Sequence, residues 1–175
     1  MLKKIVPIAV GLFFLIAISL VARHFSAKVT ASPNVSSDAL YAYHLPDVAG
    51  KVQSLAQYRG KIIVLNFWAT WCPPCREEMP EFSAFYDTYQ TKNVVVLGIA
   101  QDEPQAVNDF LKSAPVSYPI FVENDLSDLS SQLGNTQGLL PYTVIVNTDG
   151  KIVKTVMGRL NQSMLEIAIK PLLLN

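Results

Sequence analysis

The chain has 175 residues, 50% of them apolar and 16% charged, with 14 basic and 14 acidic side chains and two cysteines. Such a composition excludes a disordered chain, the zero net charge removes any electrostatic reason to expect a nucleic-acid partner, and two cysteines are too few for a disulfide-stapled miniprotein or a four-thiolate zinc site. The charge is uneven: residues 1–28 hold Lys3, Lys4, Arg23 and Lys28 and no acid, so the rest of the chain is mildly acidic and long enough for one domain with a real core.

From Ile5 to Ala22 the sequence is uncharged, and only Ser19 is clearly polar. As a helix this run reaches roughly 27 Å, close to the roughly 30 Å hydrocarbon core of a bilayer, whereas the apolar stretch of a cleaved signal peptide is about 7 to 15 residues. An uncleaved anchor is therefore expected over residues 1–28, with a cytoplasmic tip and a transmembrane helix at 5–22. The competing reading is cleavage near Val29-Thr30-Ala31, whose small residues lie nine positions beyond the run. Lys3 and Lys4 outweigh Arg23, so the positive-inside rule puts the amino terminus in the cytoplasm and the rest of the chain outside it. Residues 29–40, which carry Ser, Ala, Asn, Thr and one Pro without an apolar period, read as a flexible tether, and residues 41–175 as the folded domain.

Along that domain, Gly50 between short alternating runs predicts a hairpin within 41–58. Continuous apolar runs at 61–68 (KIIVLNFW) and 93–100 (NVVVLGIA) predict strands covered on both faces. Shorter strands are expected at 118–122, 142–147 and 151–157, the last two joined through Asp149-Gly150. Helical patterns occupy 73–90, 104–113, 126–133 and 162–172. Alternation of this kind predicts an α/β fold with a central, partly parallel sheet closed by an antiparallel hairpin.

The two cysteines stand in Trp71-Cys72-Pro73-Pro74-Cys75, where the first long strand ends and a helix begins. This spacing puts both sulfurs on one helical turn. Cys72 falls at the helix amino terminus, where free N–H groups and the positive end of the dipole stabilise a thiolate, which makes the upstream thiol the nucleophile. Pro73 suits the first turn because its missing N–H has no partner there, and the proline pair limits backbone freedom between the sulfurs. Cys75, one turn inside, is expected to be less exposed. A purely stabilising disulfide is the blander alternative, but so short a ring removes little chain entropy. No metal site is expected: the two histidines, His24 and His44, are not at ligand spacing from the cysteines.

The stretch from Gly60 to Pro80, GKIIVLNFWATWCPPCREEMP, resembles the active-site segment of the thioredoxin superfamily, in particular its membrane-anchored TlpA/ResA/DsbE-type thiol-disulfide oxidoreductases. The likeness runs from about residue 40 to the carboxyl terminus, through Leu45-Pro46-Asp47, GIAQDE at 98–103 and GLLPYTVIVNTDGKI at 138–152. It implies a thioredoxin-like fold, a central mixed β-sheet flanked by helices, with an N-terminal β-hairpin extension and a central insertion, preceded by one transmembrane helix. It makes Pro141 the cis-proline that faces the cysteines and lets the backbone of Leu140 pair with an extended substrate. Trp71, Pro73 and Pro74 complete the substrate-facing surface, while Trp68 belongs to the core and Pro80 has a structural role in the helix.

Asn66 occupies the position at which many thioredoxins carry a buried aspartate, and an amide exchanges no proton near neutral pH. Glu78, three residues after Cys75 and on the same helix face, resembles instead the glutamate that moves the proton of the buried thiol in this group. Glu77 reads as a solvated dipole partner. Tyr142 departs from the small or acidic residue common after the cis-proline, and its bulk is expected to narrow the groove.

The resemblance implies that the Cys72 thiolate attacks a substrate disulfide and Cys75 resolves the mixed disulfide, with no cofactor. The implied partners are disulfide-bearing extracytoplasmic proteins, a transmembrane thiol-relay electron donor, and the inner membrane itself through the N-terminal helix; a monomer is the default. A DsbA-like oxidase is the alternative direction of electron flow, and a noncatalytic adaptor or holdase the alternative class. A peroxidase is disfavoured, since no cysteine precedes Cys72.

Overall fold

The computed structural model describes residues 38–123 and 129–174. The expected anchor (1–28) and most of the tether lie outside these residues; among the described residues no helix is long and apolar enough to cross a membrane. Helix α1 (Asp38–Ala42) leads into strands β1 (His44–Pro46) and β2 (Val52–Ser54). Then follow β3 (Ile62–Trp68), α2 (Pro73–Tyr89), β4 (Val94–Ala100), α3 (Pro104–Ser113), β5 (Ile120–Val122), α4 (Leu129–Gln132), β6 (Tyr142–Val146), β7 (Ile152–Met157) and α5 (Gln162–Ile169).

Residues 38–40 correct the expected tether boundary. They form the first part of α1, in which Leu40 is fully buried and Tyr41 nearly so, with the Arg59 guanidinium 4.1 Å over the Tyr41 ring. A single helical turn is too short to show an apolar period, which is why composition alone extends the tether to residue 40. The hairpin around Gly50 is present: β1 and β2 pair antiparallel, Leu45 opposite Gln53. Asp47 Oδ1 accepts from the N–H groups of Ala49 and Lys51, Oδ2 accepts from Gln53 Nε2 at 2.6 Å, and Gly50 adopts φ +79° where a side chain would be strained.

The main sheet has the order β5-β4-β3-β6-β7. Strands β3, β4 and β5 run parallel, and β6 and β7 are antiparallel additions on the other side of β3. All seven residues of β3 and of β4 are buried, as two covered faces require. Alternate residues feed two cores. On one side Val64, Trp68, Val96 and Ile145 meet Cys75, Met79, Phe82 and Phe85 of α2 with Leu165 and Ile169 of α5. On the other, Ile63, Leu65, Phe67, Leu97 and Val144 meet Leu40, Leu45, Leu55 and Leu129. This is the thioredoxin-like arrangement that the resemblance implies; α3, β5 and α4 fill the segment between β4 and β6.

Two helix ends differ from the periodicity. Helix α2 stops at Tyr89 and passes through a 3-10 turn to Asn93, which takes a left-handed φ of +59°. Helix α5 stops at Ile169, because Pro171 cannot donate to the ladder, and 170–172 form another 3-10 turn. Pro80 lies inside α2.

Candidate active site

The carboxyl end of β3 delivers Trp68 into the core, and the four residues 69–72 then turn the chain into α2. That loop is fastened from the parallel neighbour: Asp102, just beyond β4, accepts through Oδ2 from the Thr70 N–H at 3.0 Å and from the Thr70 hydroxyl, and through Oδ1 from the Glu103 N–H at 2.8 Å. Asp102 escapes sequence reasoning as a site residue, although parallel pairing of two long strands already implies that their carboxyl ends lie side by side.

Cys72 is the N-cap of α2, in extended conformation, with Pro73 at the first helical position; its carbonyl accepts from the Arg76 N–H at 3.2 Å. It is joined to Cys75 by a disulfide of 2.03 Å. Cys72 retains 4% exposure and Cys75 none, the order expected. Once the bond is reduced, the positive end of the α2 dipole favours the thiolate at Cys72, while a buried Cys75 favours the thiol.

Around the pair, Trp71 is 66% exposed and Pro73 and Pro74 are exposed. Leu140 packs half-buried against the cluster that holds both cysteines, and the Leu140–Pro141 peptide is cis. The sheet ladder begins only at Tyr142, so Leu140 stands outside the sheet's own pairing. Buried Asn135 holds the approach to this bend: it donates to the Leu139 carbonyl at 2.9 Å and accepts from the Leu139 N–H at 3.0 Å. A cavity of about 400 Å³ beside the pair is lined by Pro73, Arg76, Glu77, Phe110, Ser113 and Ala114.

Tyr142 corrects an expectation. Its side chain leaves β6 toward the core opposite the cysteines, packs beside Phe67 and donates its hydroxyl to the Leu133 carbonyl at 2.9 Å. Residues 142 and 144 share one face and 143 the other, so the phenol fills the core and the groove is not narrowed by it.

Glu78 is fully buried on α2, one turn beyond Cys75. Its Oε1 accepts from Asn66 Nδ2 and its Oε2 from the Leu160 N–H, both at 2.8 Å. Burial pushes this carboxyl up from an ordinary value of 4.5 to about 7, against the two hydrogen bonds and the Arg159 charge, which favour the ionised form. Arg159 is paired at the surface with Glu77 at 2.8 Å, so Glu77 is the solvated residue and Glu78 the buried one. Asn66 Nδ2 also donates to Thr143 Oγ1 at 3.2 Å. Tyr118, buried against Phe82, has its phenol pushed up by burial and further by the neighbouring Glu78 charge. The arrangement can therefore exchange a proton near neutral pH one helical turn from a redox disulfide whose exposed neighbours are Trp71, Pro73 and Pro74.

Comparison with known proteins agrees. Residues 37–155 match the AhpC/TSA family. The chain is 34% identical to the thiol-disulfide oxidoreductase ResA of Bacillus subtilis, over 69% of this chain and 66% of the relative, and 35% identical to ResA of Geobacillus thermodenitrificans, over 67% of each. The alignments thus span about two thirds of those relatives. Among solved structures, a putative thiol:disulfide interchange protein DsbE from Chlorobium tepidum superposes with a TM-score of 0.63 at 25% identity, covering 75% of this chain and 92% of that one.

Proposed function

Because the chain belongs to the AhpC/TSA family, as a thiol-disulfide oxidoreductase of the ResA/DsbE type, we propose that its Cys72–Cys75 pair reduces disulfides of proteins held outside the cytoplasm. The observation that carries this reading is the redox pair at the start of α2 with a buried carboxyl one turn behind its resolving cysteine. In the dithiol form, the Cys72 thiolate attacks a substrate disulfide, forming one S–S bond, breaking another and expelling a thiolate. Cys75 passes its proton to Glu78 and attacks the Cys72 sulfur, which closes the Cys72–Cys75 bond and releases the second substrate thiolate. Two electrons leave the enzyme and both substrate sulfurs take up protons. Trp71, Pro73, Pro74 and the Leu140–Pro141 bend form the face on which the substrate lies, with the Leu140 backbone available to an extended segment.

A second dithiol must recharge the enzyme. The uncharged run at 5–22, with Lys3 and Lys4 before it, supports an inner-membrane anchor that holds a monomeric domain beside a transmembrane thiol relay, and reductive steps of cytochrome c maturation fit such a placement.

The test is the reduction potential of the cysteine couple. A value near or below about −220 mV is expected, and one near about −120 mV would make the protein a disulfide donor and reverse the direction proposed. Cys72→Ser and Cys75→Ser are each expected to abolish turnover; retained biological function in both would identify an adaptor instead. Glu78→Gln is expected to remove the near-neutral midpoint from the pH profile of mixed-disulfide resolution, and an unchanged profile would end its role in proton transfer.

A further inference from the structure

Resting on the proton-transfer role of Glu78, we propose that Asn66 is a positioning residue that satisfies the Glu78 carboxyl in both protonation states, its side-chain amide turning through half a revolution as the proton of Cys75 arrives or leaves. Asn66 stands in the middle of β3, 1% exposed, in a cross-strand row with Thr143 on β6 and Gly98 on β4. The two oxygens of Glu78 have different neighbours. Oε2 faces the backbone N–H of Leu160, a group that can only donate. Oε1 faces the Asn66 amide, which has a donor on one side and an acceptor on the other.

With Glu78 ionised, both oxygens accept hydrogen bonds and nothing more is needed. With Glu78 protonated, the new O–H has to donate, and the Leu160 N–H offers no acceptor. Asn66 does: its Oδ1 is buried and has no hydrogen-bond partner among the described residues. An unpaired buried acceptor is costly, so its persistence here calls for a use. Rotation of a planar amide about its last bond exchanges Nδ2 for Oδ1, and the volume occupied before and after the turn is nearly the same. Thr143 Oγ1, which accepts from Nδ2 at 3.2 Å, can donate to Oδ1 after the turn, because a hydroxyl serves both roles.

The face of the sheet beside the amide is closely packed: a Cβ at Gly98, the next position in the row, would lie 2.5 Å from Ile120 Cδ1 and 3.0 Å from the Tyr118 ring. The titratable and charged groups that face Glu78 are Cys75 on its own helix, Tyr118 ahead of β5 and Arg159 beyond β7. A carboxylate at position 66 could also accept from the protonated acid, but it would add a second buried charge and could donate nothing to the ionised one. The amide is the neutral side chain of this length that serves both states.

The test follows the side-chain NH2 resonances of Asn66 in the oxidised full-length protein, labelled with 15N-asparagine, through the neutral pH range. Both protons are expected to shift with a single midpoint at about 7, that of Glu78, and to lose this titration in Glu78→Gln. Resonances that do not titrate, or that titrate equally in Glu78→Gln, would overturn the proposal. In kinetics, Asn66→Asp, which accepts but does not donate, is expected to raise the pH midpoint of mixed-disulfide resolution by roughly one unit, a roughly tenfold loss of ionised Glu78 on the acid limb. A profile superimposable on the wild type would refute the positioning role while leaving that of Glu78 intact, provided that Glu78→Gln alone alters the profile. If it does not, the proton-transfer reading and this inference fall together.

Discussion

Ile63, Leu65 and Phe67 leave β3 toward one core, and Val64, Asn66 and Trp68 leave the same strand toward the other. The first side is packed with aliphatic and aromatic groups, and its Tyr142 hydroxyl is satisfied by a backbone carbonyl. The second contains a carboxyl, an amide and a threonine hydroxyl in one hydrogen-bonded row, with a buried phenol beside it. Both are layers of the same sheet and both bury polar groups, Gln101, Glu123 and Ser130 being hydrogen-bonded together beyond the carboxyl ends of β4 and β5, but only the row behind the cysteines sets a buried carboxyl one helical turn from the redox pair. The contrast separates a side packed mainly with apolar groups from one that carries the carboxyl proposed to take the thiol proton.

The comparison breaks most visibly at Phe67, fully buried on the apolar side. Phe67→Ala is expected to cost about 3–5 kcal/mol in urea unfolding while leaving the pH midpoint of the remaining activity in place. A displaced midpoint would show that the two sides are coupled.

Glu78→Gln sharpens the contrast through pH. The folded value of about 7 lies above the ordinary 4.5, so between these limits the native protein binds more protons than the unfolded chain. The stabilisation from this group is therefore full below about pH 4.5 and is lost as the pH rises through 7, a change of about 3 kcal/mol, order of magnitude. Unfolding of the oxidised protein measured at the two ends of this window should show that loss in the wild type and not in Glu78→Gln; equal losses in both would place the titration elsewhere.

Gly98→Ala tests packing on the polar side. The added methyl would meet Ile120 Cδ1 at 2.5 Å and Trp68 Nε1 at 3.3 Å, and about 1–3 kcal/mol of destabilisation is expected in the same unfolding assay. Arg159→Ala has the smallest effect, about 0.2–1 kcal/mol from the loss of the exposed Glu77 pair, with the Glu78 midpoint moving slightly upward as a favourable charge is removed. A thermal melt together with the pH profile checks both parts.

Much of this organisation is legible without coordinates. The apolar runs announce β3 and β4 because strands buried on both faces need continuous hydrophobicity. The Asp149-Gly150 turn announces the β6–β7 hairpin, and Cys72-Pro73-Pro74-Cys75 announces a reactive thiol at a helix start. Glu78 stands out through the family resemblance, with its helical spacing placing it on the face of Cys75. The opening helix is not, since one turn shows no period, and neither is the side to which Tyr142 points, which depends on the strand's register against β3.

The sequence by itself determines the order of elements and the redox pair, because each rests on periodicity or on chemistry within a few residues. Only the tertiary structure decides that Asp102 fastens the loop before Cys72, that Asn135 holds the bend at Leu140, and that Asn66, Thr143 and the Leu160 backbone surround Glu78. Those contacts join residues brought together by the pairing of β3 with β4 and β6 and by the packing of α2, and a buried carboxyl acquires its proton affinity from everything that folds around it.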